Sequence, residues 1–217
     1  MDYLKIVNHY EKCFEQHGDS PKGVDWTRED QVDTRYQVML ELIQYREKSA
    51  NVNQPVDLLD YGCGLSHLYE YIKKHKLNRL SYSGLEISPT FYEASKVKYP
   101  KNHYYLLDIL SQVDEKKLDR TFDYIVMNGV FTEKRELSHE QMFDYFKQVM
   151  RKVYPLANKG IAFNLMSKQV DWEKEFLFHV PLDDLAFFLT KELTRDFVIR
   201  NDYGLYEYTV YVYKNEK

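Results

Sequence analysis

The sequence is short of cysteine, of positive charge and of long hydrophobic runs, and each shortage argues against a class of protein. Its two cysteines, Cys13 and Cys63, stand in unrelated contexts, which argues against a disulfide framework or a zinc site. A formal net charge of −4 removes the overall attraction that nucleic acid normally demands, so no nucleic-acid partner is expected. The N-terminus lacks the basic and then apolar run of a signal peptide, and no segment is long enough to cross a bilayer. We therefore expect a cytoplasmic protein.

The residues that are present fit one folded domain. A chain of 217 residues can build one full core, and a second complete domain would be cramped. Hydrophobic residues make up 44% and charged residues 29%, which is ordinary for a globular protein, and 20 tyrosines with 12 phenylalanines make the chain unusually aromatic. We predict a single domain over residues 1–217, in which residues 1–54 form a helical cap or lid and residues 55–217 form an α/β core. A homodimer is possible.

Strand and helix patterns alternate from residue 55 onward. The predicted strands are Val56–Asp60, Leu80–Glu86, His103–Leu107, Phe122–Met127 and Gly160–Leu165. Helices are predicted over Ser66–Lys76, from Ser88 and from Ser138. This alternation implies parallel strands joined by right-handed crossovers, hence a doubly wound α/β sheet. Two further strand-like segments, Thr194–Arg200 and Leu205–Tyr213, are joined by a short polar turn and predict an antiparallel hairpin that completes a mostly parallel, seven-stranded sheet.

The turn after the first predicted strand contains two glycines, Gly62 and Gly64. In a doubly wound sheet, ligands bind beyond the carboxyl ends of the strands, and the first such turn is the usual point of contact. Glycine permits a positive φ and has no Cβ to keep a ligand away. A dinucleotide fingerprint needs a third glycine at position 67, where this chain has His67, and this counts against NAD.

The segment Asp60-Tyr61-Gly62-Cys63-Gly64 resembles the first motif of the class I S-adenosylmethionine-dependent methyltransferases. In that family an acidic residue precedes two glycines at the end of the first strand. A third glycine often follows two residues after the second; here Ser66 holds that place, a small residue that can cap the next helix. The resemblance implies a Rossmann-like methyltransferase fold, S-adenosylmethionine as the cofactor and S-adenosylhomocysteine as its product.

Two more carboxylates extend this resemblance. Glu86 closes the second predicted strand, and the resemblance implies that it accepts hydrogen bonds from both ribose hydroxyls. Asp108 follows the third predicted strand and resembles the residue that recognises the adenine amino group. A carboxylate accepts hydrogen bonds and complements the ammonium and sulfonium of this cofactor. The predicted cofactor-binding residues are Asp60, Gly62, Cys63, Gly64, Glu86, Ile87, Asp108, Ile109 and Asn128, joined by Trp26 and Arg35 from the cap.

The expected acceptor pocket lies beside Asn128-Gly129-Val130-Phe131, at the end of the fourth predicted strand. Methyltransferases that modify amino groups of nucleobases or glutamine commonly have Pro-Pro and an aromatic residue at this place. This chain has no proline among residues 128–131, which favours a hydroxyl acceptor. His179 is the first candidate for the general base because histidine titrates near neutral pH, and Glu133 and His139 compete for that role. The predicted substrate contacts are Phe131, Lys134, Trp172 and Tyr203. No metal site is predicted.

The whole chain is also similar to class I methyltransferases associated with bacterial capsule and surface-polysaccharide synthesis. Segments that carry this similarity include Val24-Asp25-Trp26, Leu177-Phe178-His179 and Asn201-Asp202-Tyr203-Gly204. It implies a small carbohydrate-derived acceptor such as a sugar, a sugar phosphate or a nucleotide sugar. A small-molecule N-methyltransferase, a non-catalytic cofactor-binding protein and, more remotely, a nicotinamide dehydrogenase are the alternatives.

Overall fold

The computed structural model of the protein describes residues 3–46, 54–111, 118 and 120–214. Two α-helices open the chain, α1 over Leu4–His17 and α2 over Val32–Arg46. Between them lie two short 3-10 turns, Pro21–Val24 and Glu29–Gln31. Residues 47–53 of the predicted lid lie outside the described part of the chain.

The apolar face of α2 is buried. Met39, Leu42 and Ile43 pack against the sheet, and Val38, next to Met39 in the sequence, is also buried. Tyr45, near the end of α2, has 43% of its surface exposed. Its ring lies edge-on to that of Tyr211, with 5.7 Å between the ring centres, at the rim of the sheet rather than beneath the helix.

Eight strands form one sheet in the described residues. They are β1 Val56–Tyr61, β2 Leu80–Glu86, β3 His103–Leu106, β4 Phe122–Met127, β5 Ala157–Ser167, β6 His179–Val180, β7 Phe197–Arg200 and β8 Glu207–Tyr213. The strand order is β3-β2-β1-β4-β5-β8-β7, and the two-residue β6 pairs with the end of β5. β8 runs antiparallel to both β5 and β7, and the other pairings are parallel. The predicted doubly wound, mostly parallel sheet with a C-terminal antiparallel hairpin is confirmed, and β6 is an addition that the sequence did not predict.

Four more helices cover the sheet. They are α3 His67–Lys74, α4 Pro89–Lys98, α5 His139–Val153 and α6 Leu182–Phe188, the last continuing as a π-helical turn over Leu189–Leu193. The predicted starts of α4 and α5 are confirmed, because Ser88 caps α4 through the N–H of Phe91 and Ser138 forms a capping box with Gln141. These caps satisfy N–H groups that a helix start otherwise leaves unpaired.

The core lies on both faces of the sheet. On one face, Leu58 and Val126 pack with α2 and α3, and on the other, Leu59 and Ile125 pack with α5 and α6. Neighbouring strand residues point to opposite faces, so a central strand covered on both sides is hydrophobic at most of its positions. Four of the six residues of β1 and five of the six residues of β4 are hydrophobic, which made both strands recognisable in the sequence. Within the described residues, we find no helix that combines the length and the apolar character needed to cross a membrane.

Candidate active site

A cavity lies beneath helix α1, at the carboxyl ends of β1, β2 and β4. The strand order reverses between β1 and β4, which is where doubly wound sheets bind their ligands. Eight of the predicted cofactor residues line it: Trp26, Asp60, Gly62, Cys63, Gly64, Glu86, Ile87 and Asn128. Helix α1 closes it from above with Tyr3, Ile6, Val7 and Tyr10.

The glycine turn after β1 depends on left-handed backbone. Gly62 has φ 71°, and a Cβ built on it would lie 2.8 Å from Cγ2 of Val130. Ser66, at the place where the related pattern often has a third glycine, also adopts a left-handed φ of 58°. Its hydroxyl donates to Oγ of Ser95 at 2.9 Å instead of capping α3, so the expected capping role is wrong. The left-handed φ explains why glycine suits this position.

Glu86 ties the glycine turn to the end of β2. Its buried carboxylate accepts hydrogen bonds from the backbone N–H groups of Gly64 at 2.8 Å, Ile87 at 2.8 Å and Ser88 at 2.9 Å. Burial raises the pKa of this carboxyl, and the three backbone donors act in the opposite direction. A carboxylate has about four acceptor positions, so acceptor capacity remains for a ligand hydroxyl.

Asp60 brings a buried negative charge into the cavity wall. Its side chain accepts a hydrogen bond from the hydroxyl of Tyr82 at 2.9 Å, and the residue is only 4% exposed. Burial, with a smaller contribution from Glu86, raises its pKa to about 7, against the effect of the Tyr82 hydrogen bond. Among the described residues, no cationic side chain forms an ion pair with Asp60. The carboxylate therefore fits a ligand that carries its own positive charge.

Asn128, at the end of β4, presents an amide without a partner. Both Nδ2 and Oδ1 are buried and have no hydrogen-bond partner among the described residues. A buried amide in this state costs about 1–3 kcal/mol, and it lines the same cavity as Asp60. The next residue is fixed, since the N–H of Gly129 donates to Oδ1 of Asn164 at 2.8 Å. The unpartnered amide thus faces a place suited to a polar ligand.

Asp108 and Ile109 lie beyond the cavity wall. The hydroxyl of Tyr3 donates to Oδ2 of Asp108, and Oδ1 accepts the N–H of Leu110 at 2.9 Å. Tyr3 itself lines the cavity, so its hydroxyl occupies the acceptor that the predicted adenine contact requires. The side chain of Ile109 packs in the core instead of lining the cavity.

Comparison with known proteins identifies the fold. A family model described as a methyltransferase domain matches residues 59–160. The magnesium protoporphyrin IX methyltransferase ChlM from Synechocystis PCC 6803, solved with bound S-adenosylmethionine, is similar with a TM-score of 0.59 at 13% identity, covering 99% of this chain and 94% of that one. The plantazolicin methyltransferase BpumL, solved with a triazolic desmethylPZN analog and S-adenosylhomocysteine, gives a TM-score of 0.62 at 16% identity, covering 99% and 92%. The chain has the methyltransferase fold.

One curated relative agrees with this result. It is "Putative methyltransferase Rv1506c" from Mycobacterium tuberculosis (strain ATCC 25618 / H37Rv), 22% identical over 166 residues, which are 76% of this chain and 96% of that protein. The fold, the family model and this relative together support an S-adenosylmethionine-dependent methyltransferase.

Trp26 lines the cavity, whereas Arg35 lies against the Trp26 ring and outside the cavity. The Trp26 ring covers Gly129, where an added Cβ would lie 3.2 Å from Nε1 of the indole. Arg35 does not reach the cavity: its guanidinium lies over the Trp26 ring at 5.1 Å, and its Nε donates to the Glu207 carboxylate at 3.0 Å. Arg35 therefore packs against Trp26 outside the cavity, and its direct contact with a ligand stays a prediction.

A buried chain of polar groups runs from Arg35 to the end of β4, and sequence reasoning missed it. Glu207 accepts from Nδ2 of Asn164 at 3.1 Å, and Oδ1 of Asn164 accepts from Gly129. Asn164 is 1% exposed and Glu207 is 4% exposed. Buried polar residues in otherwise hydrophobic strands were the available signal, since such groups are retained only when paired.

The histidine expected to be the general base lies outside the site. His179 is 3% exposed in β6, and its Nδ1 donates to the backbone carbonyl of Ser167 at 2.6 Å. It lines neither the first cavity nor the second, which is described below. His139, the competing candidate, donates from Nε2 to the carbonyl of His179 at 3.0 Å. Both histidines thus support the segment after β5, because a carbonyl accepts hydrogen bonds and the ring nitrogens facing it must donate.

The predicted substrate contacts are dispersed. The side chains of Phe131, Lys134, Trp172 and Tyr203 line neither cavity. Phe131 is fully buried in the core, and Nζ of Lys134 donates to the carbonyl of Leu137 at 3.2 Å. Trp172 packs edge-on to Tyr206, and the Tyr203 hydroxyl lies 2.9 Å from Oγ1 of Thr209. These four residues make local contacts in the structure, and their contact with a substrate stays a prediction.

Glu133 belongs to an acid–base cluster, formed by His9, Asp25, Glu133 and Arg135, that sequence reasoning did not assemble. Nε2 of His9 lies 2.8 Å from Oδ2 of Asp25 and 4.0 Å from Oε2 of Glu133. The Arg135 guanidinium contacts both carboxylates and Nε2 of His9. Burial raises the pKa of Glu133 to about 7, with Arg135 acting against the shift and Asp25 adding to it.

The same region contains a geometric possibility for a metal ion. Ligand atoms of His9, Cys13 and Asp25 lie within 4.8 Å of one another. The Arg135 guanidinium, however, contacts two of these atoms and brings its own positive charge. A metal ion would have to displace Arg135, so the arrangement fits an internal cation better than a metal.

Proposed function

We propose that this protein transfers the methyl group of S-adenosylmethionine to a hydroxyl oxygen of a small acceptor. The observation that carries the proposal is the pairing, in one cavity, of the uncompensated Asp60 carboxylate with the unpartnered Asn128 amide. The cofactor is a cationic nucleoside whose ammonium and sulfonium complement a carboxylate. Its methionine carboxylate and ammonium supply the acceptor and the donors that an amide requires.

The proposed cofactor contacts follow the strand ends. Asp60 and Asn128 bind the methionine end, and the turn at Gly62 lets the backbone approach it. Glu86 accepts from a ribose hydroxyl at the one acceptor position that its three backbone partners leave over, and a second ribose hydroxyl would share an occupied position. Asp108 recognises the adenine amino group once the Tyr3 hydroxyl has moved away. When bound, the cofactor supplies an electrophilic methyl group on a sulfonium, and the protein positions an acceptor in line with it.

Helix α1 acts as the lid of this site. It lies over the cavity, and Phe14 packs on Phe91 with 5.5 Å between their ring centres. The carboxylate of Glu11 accepts from the hydroxyl of Ser88, which anchors the helix to the start of α4. Entry of a cofactor requires this helix to move, because its side chains form the upper wall of the cavity.

We propose a carbohydrate-derived hydroxyl as the acceptor and the cytoplasm as the place of reaction. The proline-free end of β4 and the similarity to polysaccharide-associated methyltransferases support this choice. The fold alone does not select it, since one fold carries many functions and the named neighbours methylate a porphyrin and plantazolicin. The acid–base cluster adds carboxylate and guanidinium groups that suit a polyhydroxylated ligand.

A labelling experiment tests the proposal. The purified protein is incubated with methyl-deuterated S-adenosylmethionine and a pool of sugars, sugar phosphates, nucleotide sugars and small amines, and products are identified by mass spectrometry. A labelled sugar ether supports the proposal, and a labelled amine replaces it with N-methylation. Binding of S-adenosylhomocysteine by calorimetry serves as the control, and binding without any labelled product would favour a non-catalytic role.

A further inference from the structure

A second cavity lies along helix α1, next to the first. Its volume is about 630 Å³, and its walls include Lys5, Asn8, His9 and Lys12 of α1 together with Arg135 and Phe176. Helix α1 and the loop after β4 line both cavities. Tyr10 and Val130 of these segments line the first cavity, and His9 and Arg135 line the second. The two cavities are therefore neighbours that share helix α1 and the loop after β4 as walls.

The acid–base cluster contributes His9 and Arg135 to these shared walls. Nε2 of His9 faces the Asp25 carboxylate at 2.8 Å, and the Arg135 guanidinium, which can only donate, contacts the same nitrogen. In the tautomer proposed below, Nε2 donates to Asp25, and Nδ1 then keeps its lone pair. No described residue forms a hydrogen bond with Nδ1 of His9. The His9 side chain is 29% exposed, so the free nitrogen is accessible to a ligand or to water.

We propose that His9 is the general base of the methyl transfer, that Asp25 is the positioning residue that holds its ring, and that the second cavity receives the acceptor. This proposal rests on the proposed function. The Asp25 carboxylate, the His9 imidazole and the acceptor hydroxyl would then lie in a row. In such a row the carboxylate fixes the tautomer of the imidazole and stabilises the imidazolium that forms.

Backbone strain concentrates at this cluster. Asp25 has φ 56° and Arg135 has φ 49°, so two of its four residues hold a left-handed conformation that side chains rarely adopt. These two residues are in direct contact with each other, although they lie 110 positions apart in the chain. Strained conformations persist only where the surrounding structure fixes them, and they concentrate at functional sites. With these backbone conformations, the Asp25 carboxylate and the Arg135 guanidinium both contact the ring of His9.

The charges of the cluster favour the protonated ring after the reaction. At pH 7, where Glu133 with its pKa of about 7 is about half ionised, the charges of Asp25, Glu133 and Arg135 around His9 sum to between zero and one negative charge. A proton taken up by His9 balances this charge in a partly buried setting, where electrostatic stabilisation is strong. The cluster therefore stabilises the imidazolium form of His9 that proton transfer produces.

The other titratable groups nearby are less suitable as bases. Burial, with the carboxylates of Glu133 and Asp25, raises the pKa of Tyr10 well above its usual value, so this phenol stays protonated at neutral pH. The Glu133 carboxylate is already paired with Nε of Arg135. Burial also raises the pKa of the Cys13 thiol. Only the imidazole of His9 combines a free nitrogen with an oriented ring in this part of the described structure.

The proposed step balances without a further reactant. The acceptor oxygen forms its bond to the methyl carbon while the carbon–sulfur bond breaks, and the electron pair of that bond stays on sulfur. The hydroxyl proton passes to Nδ1 of His9, and His9 returns it to water through the second cavity. Asp25 keeps its charge throughout, so its role is to orient the ring.

Variants of His9 test the proposal on the acceptor found by deuterium labelling. We expect kcat of His9→Ala and His9→Gln to fall by about 10²–10⁴-fold, the usual contribution of a general base. Affinity for S-adenosylhomocysteine should stay within about threefold, because His9 does not line the first cavity. Added imidazole should restore part of the kcat of His9→Ala. His17→Ala is the matched control, since this histidine lies at the end of the same helix and takes no part in the cluster.

The Asp25 variants separate positioning from folding. We expect Asp25→Asn to lower kcat and to displace the pH profile of kcat, whereas Asp25→Glu should retain part of the activity. Turnover of both His9 variants within threefold of the unaltered protein overturns the assignment, and so does an unchanged pH profile in Asp25→Asn. An unaltered protein that labels no acceptor contradicts the proposed function itself, and this result is recognisable before any variant is made.

Discussion

Replacing Asp60 by asparagine should stabilise the ligand-free protein while it removes most of the cofactor affinity. The pKa of Asp60 rises from 3.8 to about 7 on folding, mainly because the carboxylate is buried. At about 1.4 kcal/mol for each pKa unit, ionisation of this group costs the fold about 4 kcal/mol above pH 7. Asparagine avoids that cost, but its buried amide N–H groups lower the stability of the folded protein by about 1–3 kcal/mol if they have no hydrogen-bond partner. We expect a net gain of about 1–3 kcal/mol at pH 8.

The sign of the pH dependence follows from the raised pKa. Between pH 4 and pH 7 the unfolded chain loses the Asp60 proton while the folded chain keeps it, so this residue makes the native protein less stable as pH rises. Above pH 7 both states are ionised, and the loss is constant. The advantage of Asp60→Asn should therefore grow by about 3 kcal/mol from pH 5 to pH 8, equivalent to about 6–12 °C in the midpoint of thermal unfolding.

Thermal unfolding and calorimetry check both halves of this prediction. Unfolding midpoints of the two proteins are compared at pH 5 and pH 8, with the exposed Asp183→Asn as a control that should show no such growth. Affinity for S-adenosylhomocysteine at pH 8 should fall by about 100-fold, which corresponds to about 3 kcal/mol for breaking a buried charge pair. A difference in midpoint that does not increase from pH 5 to pH 8 would refute the argument about Asp60 burial.

Three further variants address the lid, the turn and the polar chain. Tyr3→Phe should strengthen S-adenosylhomocysteine binding several-fold in calorimetry, since it removes the hydroxyl that competes with the adenine amino group for Oδ2 of Asp108, and weaker binding would contradict this. Gly62→Ala should lower stability by about 1–2 kcal/mol in denaturant unfolding through its left-handed φ, with further loss from contact with Val130. Asn164→Ala should lower kcat by about tenfold or more with little change in fold, because the N–H of Gly129 loses its hydrogen-bond acceptor. Unchanged kinetics would show that the end of β4 keeps its position without this hydrogen bond.

The sequence predicted the sheet well because the strands carry their own signal. β1 and β4 are covered on both faces and are hydrophobic at most of their positions, and the caps of α4 and α5 are local patterns of four residues. The acidic residues at successive strand ends were also accessible, since parallel strands deliver their carboxyl ends to one edge. Elements whose signal is local were therefore predictable.

The acceptor side could not be predicted in the same way, because its contacts join distant parts of the chain. Arg135 meets His9 across 126 positions, and Arg35 meets Glu207 across 172. No periodicity or spacing rule encodes which loop a lid helix covers. His179 was chosen for its place after a strand end, whereas the fold turns that ring toward a backbone carbonyl. The choice of base thus depended on packing that only the three-dimensional structure supplies.

Helix α1 lines both cavities, so its motion would also determine the order in which the nucleoside and the acceptor bind and leave. Helix α1 contributes Tyr10 to one cavity and His9 to the other, and these neighbours cannot move independently. Opening α1 to admit or release the nucleoside must also disperse the acceptor cavity and its acid–base cluster. The nucleoside should therefore bind first and leave last, and the opening rate of one 14-residue helix should set an upper limit on turnover.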